Sequence, residues 1–182
     1  MKRMGLVVLS VLAASASISA QTKDESIDRA LAAAPQQMRE GATVIKWKAD
    51  YTYDTLKKGT NRLVCYDRSG FPTQQPFSLE CTSLGNLDRA AQNLKFEAMG
   101  DKAKVQAALD GAEKDGSRVK PEFGSVWYHW MGPDPDHARA HMTIAVPGAT
   151  TQSLGLPDNN KAGGVWIMNA GTSTAHLMTP GE

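Results

Sequence analysis

The change of hydrophobic pattern along the chain limits its fold more than any other feature. β-Branched and aromatic residues fill two early segments, GATVIKWKADYTY from Gly41 and TNRLVCYD from Thr60. Apolar residues at helical spacing follow in NLDRAAQNLKFEAMG and DKAKVQAALDGAEKDG, and four β-type segments come last: GSVWYHWMG, HMTIAVPG, GVWIMNAG and TAHLMTP. Strands, then helices, then strands predict an α+β fold, with the helices packed on one face of an antiparallel sheet.

Local signals add detail to this prediction. DESIDRALAAAP is typical of a short helix that Asp24 or Ser26 caps and Pro35 ends. The two early β-type segments predict a hairpin over residues 42–67, with a turn through Gly59. The C-terminal segments are nearly continuous apolar runs, so we expect them at the centre of the sheet.

Residues 1–20 have the pattern of a secretory signal peptide. Lys2 and Arg3 precede an apolar stretch, and small residues lead to Ala20. Cleavage after Ala20 is the first choice and cleavage after Ala16 the second. An uncleaved anchor is the alternative, but the apolar stretch is short for a membrane span. The sequence therefore predicts a periplasmic or secreted protein.

The segment that remains, residues 21–182, has a length suited to one α+β domain. Removing Lys2 and Arg3 from the 20 basic residues leaves 18, against 19 acidic residues, so the net charge is near −1. This balance argues against nucleic acid as a partner. No later segment has the ~20 apolar residues of a span, so we expect no membrane span after signal cleavage.

The chain contains two cysteines, Cys65 and Cys81. In an exported protein such a pair predicts one disulfide. The enclosed residues, YDRSGFPTQQPFSLE, indicate an ordered loop rather than a helix. A redox or metal role is the alternative, but the spacing fits neither a C-x-x-C pair nor a zinc knuckle.

The last third of the chain concentrates residues suited to ligand binding. His141 and His176 each follow an alanine and open an apolar run, AHMTIAVP and AHLMTP. Tryptophans in the same region supply apolar area, and the imidazoles supply polar groups. We predict a non-catalytic site for an unidentified small molecule or protein partner, formed by His141, His176, Trp127, Trp130 and Trp166. No motif identifies a cofactor.

A metal site is the first alternative. Imidazole and thioether groups suit copper or zinc, and strand alternation allows His129, His141, His176 and Met178 to share a surface. The four-residue spacing of His137 and His141 is a weak signal, because the prolines before it favour a loop leading into a strand. The sequence favours a structural interpretation over the metal site: methionine and tryptophan fill the core, and each histidine opens a strand.

A hydrolase with a histidine base is the second alternative. Asp134, Asp136, Asp158 or Glu122 are the carboxylates considered as partners, although GPDPD and PDNN are also ordinary turn sequences. The chain has no G-x-S-x-G, P-loop or dinucleotide motif. The sequence therefore leaves enzymatic activity undecided.

The segments GATVIKW, LKKGTNRLVCY and GGVWIMNAGTSTAHLMTP together resemble a family of uncharacterised exported bacterial proteins. Its members look like GATVxxW, LxxGTNxxxC and a C-terminal GGxWxMxxGTxxAHxMxP, and AHMTIAVPG resembles another of its strands. The resemblance touches residues 41–66, 81 and 125–180. The helical middle has no counterpart, and GPDPDHARA is shorter than the corresponding family segment. The resemblance implies export and the Cys65–Cys81 pairing, and it implies no activity.

Overall fold

A computed structural model describes residues 22–179, so the predicted signal segment lies outside the described residues. These residues form one eight-stranded sheet in the order β2-β1-β3-β4-β5-β6-β8-β7. Its strands are β1 Thr43–Trp47, β2 Tyr53–Lys57, β3 Leu63–Asp67, β4 Phe77–Ser83, β5 Val126–Gly132, β6 Arg139–Ala145, β7 Trp166–Met168 and β8 His176–Met178. All neighbouring strands are antiparallel except β1 and β3, which are parallel.

Five α-helices accompany the sheet within the described residues. They are α1, which includes residues 22–31, α2 Gln36–Arg39, α3 Leu87–Glu97, α4 Lys102–Asp115 and α5 Thr151–Leu154. Asp101 caps α4 by accepting from the Lys104 N–H, and Gly116 ends it with a φ of 78°. Within residues 22–179, none of the helices combines the length and apolar character that a membrane crossing requires.

The early strands pair differently from the predicted hairpin. The side chain of Asp50 accepts from the Thr52 N–H and Tyr51 has a φ of 66°, so the chain turns between Trp47 and Tyr53. Residues 53–57 therefore return as β2 beside β1, and β3 comes back parallel to β1. The predicted hairpin of residues 42–67 is wrong because the turn falls at Asp50 instead of Gly59.

The C-terminal strands are only partly central. β5 and β6 lie inside the sheet as expected, but β8 lies next to the edge and β7 forms the edge. A further strand, β4, occupies part of the predicted loop between the cysteines. Its alternation of large and small side chains is compatible with a strand, whereas the prolines of that segment lie in the turn before it.

Helices cover both faces of the sheet. On one face, α1 packs through Ala30 and Leu31 against a cluster that includes Val44 and Cys65. On the other face, α3 contributes Ala90 and Leu94 to a second cluster. The other members of this cluster are Ile45, Trp47, Val64, Tyr66 and Trp127. The central helix α3 therefore covers one face as predicted, and α4 packs beside α3. α1 adds a cover on the opposite face, because the inner strands are apolar on both faces.

The predicted disulfide is confirmed. Cys65 on β3 and Cys81 on β4 lie directly opposite each other, with their Cα atoms 4.1 Å apart. Both side chains are fully buried on the α1 face. The α+β class, the single domain and the disulfide are therefore features of the structure. The bridge joins β3 to β4.

Candidate functional site

A cleft of about 300 Å³ lies between α3 and the C-terminal half of the sheet. His129 on β5 is directly opposite His141 on β6, and Ala145 on β6 is opposite His176 on β8. Because side chains two apart share a face, these registers place all three histidines on the α3 face. The same cleft is lined by Trp127 and by three methionines, Met131, Met168 and Met178.

Most of the residues predicted from sequence meet in this cleft. His141, His176 and Trp127 line it, as do His129 and Met178 of the metal alternative. Trp130 does not, because it points to the α1 face and packs edge-on against Phe77 at 5.2 Å between ring centroids. Trp166 lies on the edge strand opposite Met178 and is not among the residues that line the cleft.

A buried carboxylate orients His129. The Nδ1 atom of His129 lies 3.1 Å from Oε2 of Glu80, which is 2% exposed. Glu80 also accepts hydrogen bonds from the Tyr66 hydroxyl and, at 2.6 Å, from Nη1 of Arg68. Burial alone would raise the pKa of Glu80, but Arg68, His129 and Tyr66 hold it well below its usual range. An ionised Glu80 can only accept, so Nδ1 of His129 carries the proton and Nε2 is left with its lone pair when the ring is neutral.

The same network fixes α3 above the sheet. Nη2 of Arg68 donates to Oε2 of Glu97 at 2.5 Å, near the C-terminal end of α3. Burial raises the pKa of Glu97 and outweighs the opposing effect of Arg68. For the Tyr66 hydroxyl, burial and the neighbouring Glu80 raise the pKa. Arg68 therefore joins the end of β3 to both β4 and α3, and it forms one end of the cleft.

The other two imidazoles are held in their neutral form. Burial lowers the pKa of His141, and His129 and His176 lower it further. Burial also lowers the pKa of His176 and outweighs the bond to the Thr174 carbonyl, while His129 and Arg89 add to the lowering. The Nδ1 atom of His176 lies 2.8 Å from that carbonyl, so it carries the proton and Nε2 keeps its lone pair.

Two imidazoles of the cleft lie side by side. The rings of His129 and His141 stack with centroids 6.0 Å apart. Within residues 22–179, no three side chains of the His, Cys, Asp and Glu types are grouped so that they could hold a metal ion. A cation held by His129 and His141 would therefore need methionine sulfur as a further ligand.

A buried arginine forms the other end of the cleft. Arg89, on the first turn of α3, is 3% exposed and lines the cleft. Its Nη1 donates to the Val119 carbonyl at 2.5 Å and to Ser173 Oγ at 3.4 Å, and its Nη2 donates to Thr174 Oγ1 at 2.7 Å. Burial, with the nearby charge of Arg118, lowers the pKa of Arg89 to about 10. Arg68 and Arg89 thus line the cleft near opposite ends of α3.

The carboxylates considered from sequence lie elsewhere. Asp134 binds the ring and the backbone N–H of His137 in an exposed turn, so the two residues form turn structure away from the cleft. Glu122 pairs with Arg62 at 2.5 Å and accepts from Ser83. Neither Asp136 nor Asp158 lines the cleft. His137 and His141 are separated because residue 137 precedes β6 and residue 141 lies within it.

Three charged residues that line the cleft were not expected from sequence: Arg68, Glu80 and Arg89. Glu80 alternates with Leu79 and Cys81 along β4, a pattern that normally indicates a solvent-facing carboxylate. Arg89 is a polar residue in an amphipathic helix, where a surface position is the ordinary expectation. The only signal in the sequence was the placement of Glu80 on a strand directly beside a buried cysteine.

Comparison with protein-family models, with curated proteins and with solved structures gives no match for this chain. Its function must therefore be argued from the cleft itself.

Proposed function

We propose that this chain is an exported, non-catalytic binding protein that holds a small ligand in the cleft under α3. The observation that carries the proposal is the cleft itself, which has mainly apolar walls and a few polar groups at fixed positions. Such a combination is typical of small-molecule sites, which commonly have volumes of about 300–1,000 Å³. Trp127 and the methionines supply apolar contact, while His141 and His176 supply polar groups.

Export to the periplasm is part of this proposal. The pattern of residues 1–20 and the resemblance to an exported bacterial family support it. The disulfide between Cys65 and Cys81 agrees with an oxidising compartment. The ligand would then be a solute or partner met outside the cytoplasm.

Binding is favoured over hydrolysis because the histidines lack a nucleophile. Among residues 22–179, no Ser, Thr or Cys side chain is hydrogen-bonded to His129, His141 or His176. A histidine base activates a hydroxyl or thiol through such a bond. The Glu80–His129 pair therefore orients an imidazole toward the cleft without completing a triad.

The proposal is tested by thermal shift and calorimetry with amino acids, organic acids, sugars and nucleosides. We expect at least one class to raise the Tm of the protein, since a ligand at 100 times its Kd adds about 2.7 kcal/mol of stability. The variant His141→Ala is expected to lose at least about tenfold in affinity.

Met142→Ala is the matched control, because Met142 is the next residue on β6 and projects to the opposite face. It should bind like the parent protein. A flat response to every class, or equal binding losses in the His141 and Met142 variants, would count against the cleft as the binding site.

A second candidate is soft-metal binding, favoured by the orientation of the imidazoles. The Nδ1 atoms of His129 and His176 are bound to a carboxylate and a carbonyl, as in many metal-ligating histidines. Met131 and Met178 add thioether sulfur to the same surface.

Titration with Cu(I), Cu(II) and Zn(II) tests this candidate. We expect copper binding in a 1:1 ratio at about tenfold or more higher affinity than in the double variant His129→Ala/His141→Ala. His137→Ala is the control, because His137 is exposed and outside the cleft. Unchanged copper affinity in the double variant would exclude this site.

A further inference from the structure

The side chain of Arg89 is incompletely satisfied for a buried cation. The carbonyl of Val119 and the hydroxyl of Ser173 accept from Nη1, and the hydroxyl of Thr174 accepts one N–H of Nη2. Within residues 22–179, no carboxylate forms a salt bridge with it. The Nε–H and the second N–H of Nη2 are therefore left, and such a pair of donors suits a carboxylate. Buried charges are otherwise paired, because an unpaired one loses its hydration without compensation.

Arg89 has no carboxylate in direct contact within the described residues. The carboxylate that acts on it, Glu113, is reached only through the hydroxyls of Ser173 and Thr174. A second buried guanidinium, Arg118, bonds only the neutral side chains of Gln92 and Asn93. Glu97 also acts on Arg118, whereas Glu113 is the carboxylate that acts on Arg89, so a bound anion would supply the direct partner that Arg89 lacks.

A hydrogen-bond acceptor lies next to this cationic end. Thr174 accepts from Arg89 through its hydroxyl and from Nδ1 of His176 through its carbonyl, so both groups are anchored to one residue. His176 therefore offers the lone pair of Nε2 and not a donor. A group that binds there must itself donate an O–H or N–H.

We propose that the ligand is a small organic acid that carries an O–H or N–H group beside its carboxylate, such as a hydroxy acid or an amino acid. This inference rests on the proposed binding function. The carboxylate binds the free edge of Arg89, and the neighbouring donor bonds Nε2 of His176. The remaining apolar part of the ligand contacts Met168, Met178 and Trp127, which line the same cleft. Sulfur and indole both make favourable contacts with an aromatic substituent.

Matched probes separate the two polar contacts. 3-Phenyllactate carries both groups, 3-phenylpropionate lacks the hydroxyl, and 3-phenyl-1,2-propanediol lacks the carboxylate. Calorimetry on the intact chain with its disulfide formed should show that phenyllactate binds about tenfold or more tightly than either of the others. Equal affinities for the three probes would overturn the inference.

Substitutions in the protein assign each contact. Arg89→Met is expected to weaken phenyllactate and phenylpropionate by about tenfold or more and to leave the diol unchanged. His176→Ala should remove the preference for phenyllactate over phenylpropionate. Arg29→Met is the charge control, because Arg29 stacks on Phe77 at the opposite face and carries the same charge. Loss of binding in the Arg29 variant to the same extent as in the Arg89 variant would overturn the inference.

Because Arg89 also holds Val119 and Thr174, its variant can fail to fold, and Glu113→Gln provides a second measurement. This substitution leaves Arg89 in place and removes the negative charge that lies behind the hydroxyls of Ser173 and Thr174. The affinity for phenyllactate is therefore expected to rise about threefold or more. Unchanged or weaker binding would contradict the anionic ligand.

Diol or sugar binding that is lost in His141→Ala, without any acid binding, would overturn this inference and retain the proposed function. Absence of binding by every class would remove both.

Discussion

Replacing Glu80 by alanine is expected to lower the free energy of unfolding by about 3–5 kcal/mol, the range for removing one partner of a buried ion pair. Glu80 is 2% exposed and accepts from Tyr66, Arg68 and His129. Its removal leaves Arg68 with Glu97 as its remaining carboxylate and takes the acceptor from two further donors. Urea denaturation followed by circular dichroism measures the loss.

The same carboxylate gives the stability of the protein a defined pH dependence. The pKa of Glu80 in the folded chain is well below its ordinary value of about 4.5. The unfolded chain therefore binds a proton at a higher pH than the folded chain. The stabilisation from Glu80 is present above about pH 4.5 and is lost as the pH falls below that value. The Glu80→Ala variant should show a shallower loss of stability over this acidic range.

Asp54→Asn is the control for the Glu80 measurement. Asp54 pairs with Lys48 at 2.7 Å, but both side chains are largely exposed to solvent. Pairs of this kind contribute little to stability. A loss as large as that of Glu80→Ala, or a loss of less than about 1 kcal/mol for Glu80→Ala, would contradict the assigned role of burial.

Removing the disulfide in the double variant Cys65→Ala/Cys81→Ala is expected to lower the free energy of unfolding by at least about 3 kcal/mol. The bridge closes a loop of about 15 residues, for which chain entropy predicts this magnitude. Both sulfurs are fully buried beside α1, so the packing lost with them adds to the effect. Urea denaturation of the variant and of the oxidised parent gives the difference.

The reduced parent protein is the matched control for the cysteine variant, because it keeps both sulfur atoms and lacks only the bond. The reduced parent keeps the packing of the two sulfur atoms against α1. It should therefore unfold at a urea concentration between those of the double variant and the oxidised parent. If the double variant and the oxidised parent unfold within about 0.5 kcal/mol of each other, the loop-closure explanation is wrong.

The bridge also bears on the candidate site through strand register. Cys65 and Cys81 are opposite residues, and the next pair along the two strands is Tyr66 and Glu80. Because neighbouring residues of a strand point to opposite faces, the bridge on the α1 face fixes the Tyr66–Glu80 contact on the α3 face. Amide hydrogen exchange of β3 and β4 is therefore expected to be faster in the double cysteine variant.

Several features of the fold follow from local sequence patterns. The helices over 87–97 and 102–115, their boundary near Gly100 and the cap at Asp101 depend on residues close to one another in the chain. The strands around Trp127, His141 and His176 follow from β-type composition, and the cysteine count predicts the bridge. The pairing of β1 with β2 was missed because the Asx turn at Asp50 outcompetes the glycine turn at Gly59.

Less of the candidate site than of the fold could be predicted from the sequence. Alternation alone places His129 with Met131 and His176 with Met178, but it does not say whether the three strands are neighbours or which face α3 covers. The order β5-β6-β8 brings His129, His141 and His176 to one face, and Trp130 to the other. Strand order is a long-range property, decided by which pairings bury the most apolar surface.

By itself, the sequence determined the α+β class, the disulfide and the region of the candidate site, because these depend on periodicity, composition and the number of cysteines. Only the tertiary structure decided that Glu80 and Arg89 belong to that site. A polar residue on a strand or helix has the same local pattern whether it faces water or a neighbouring element. The packing of α3 on the same face of the sheet buries both charges, and burial gives them their roles in the cleft.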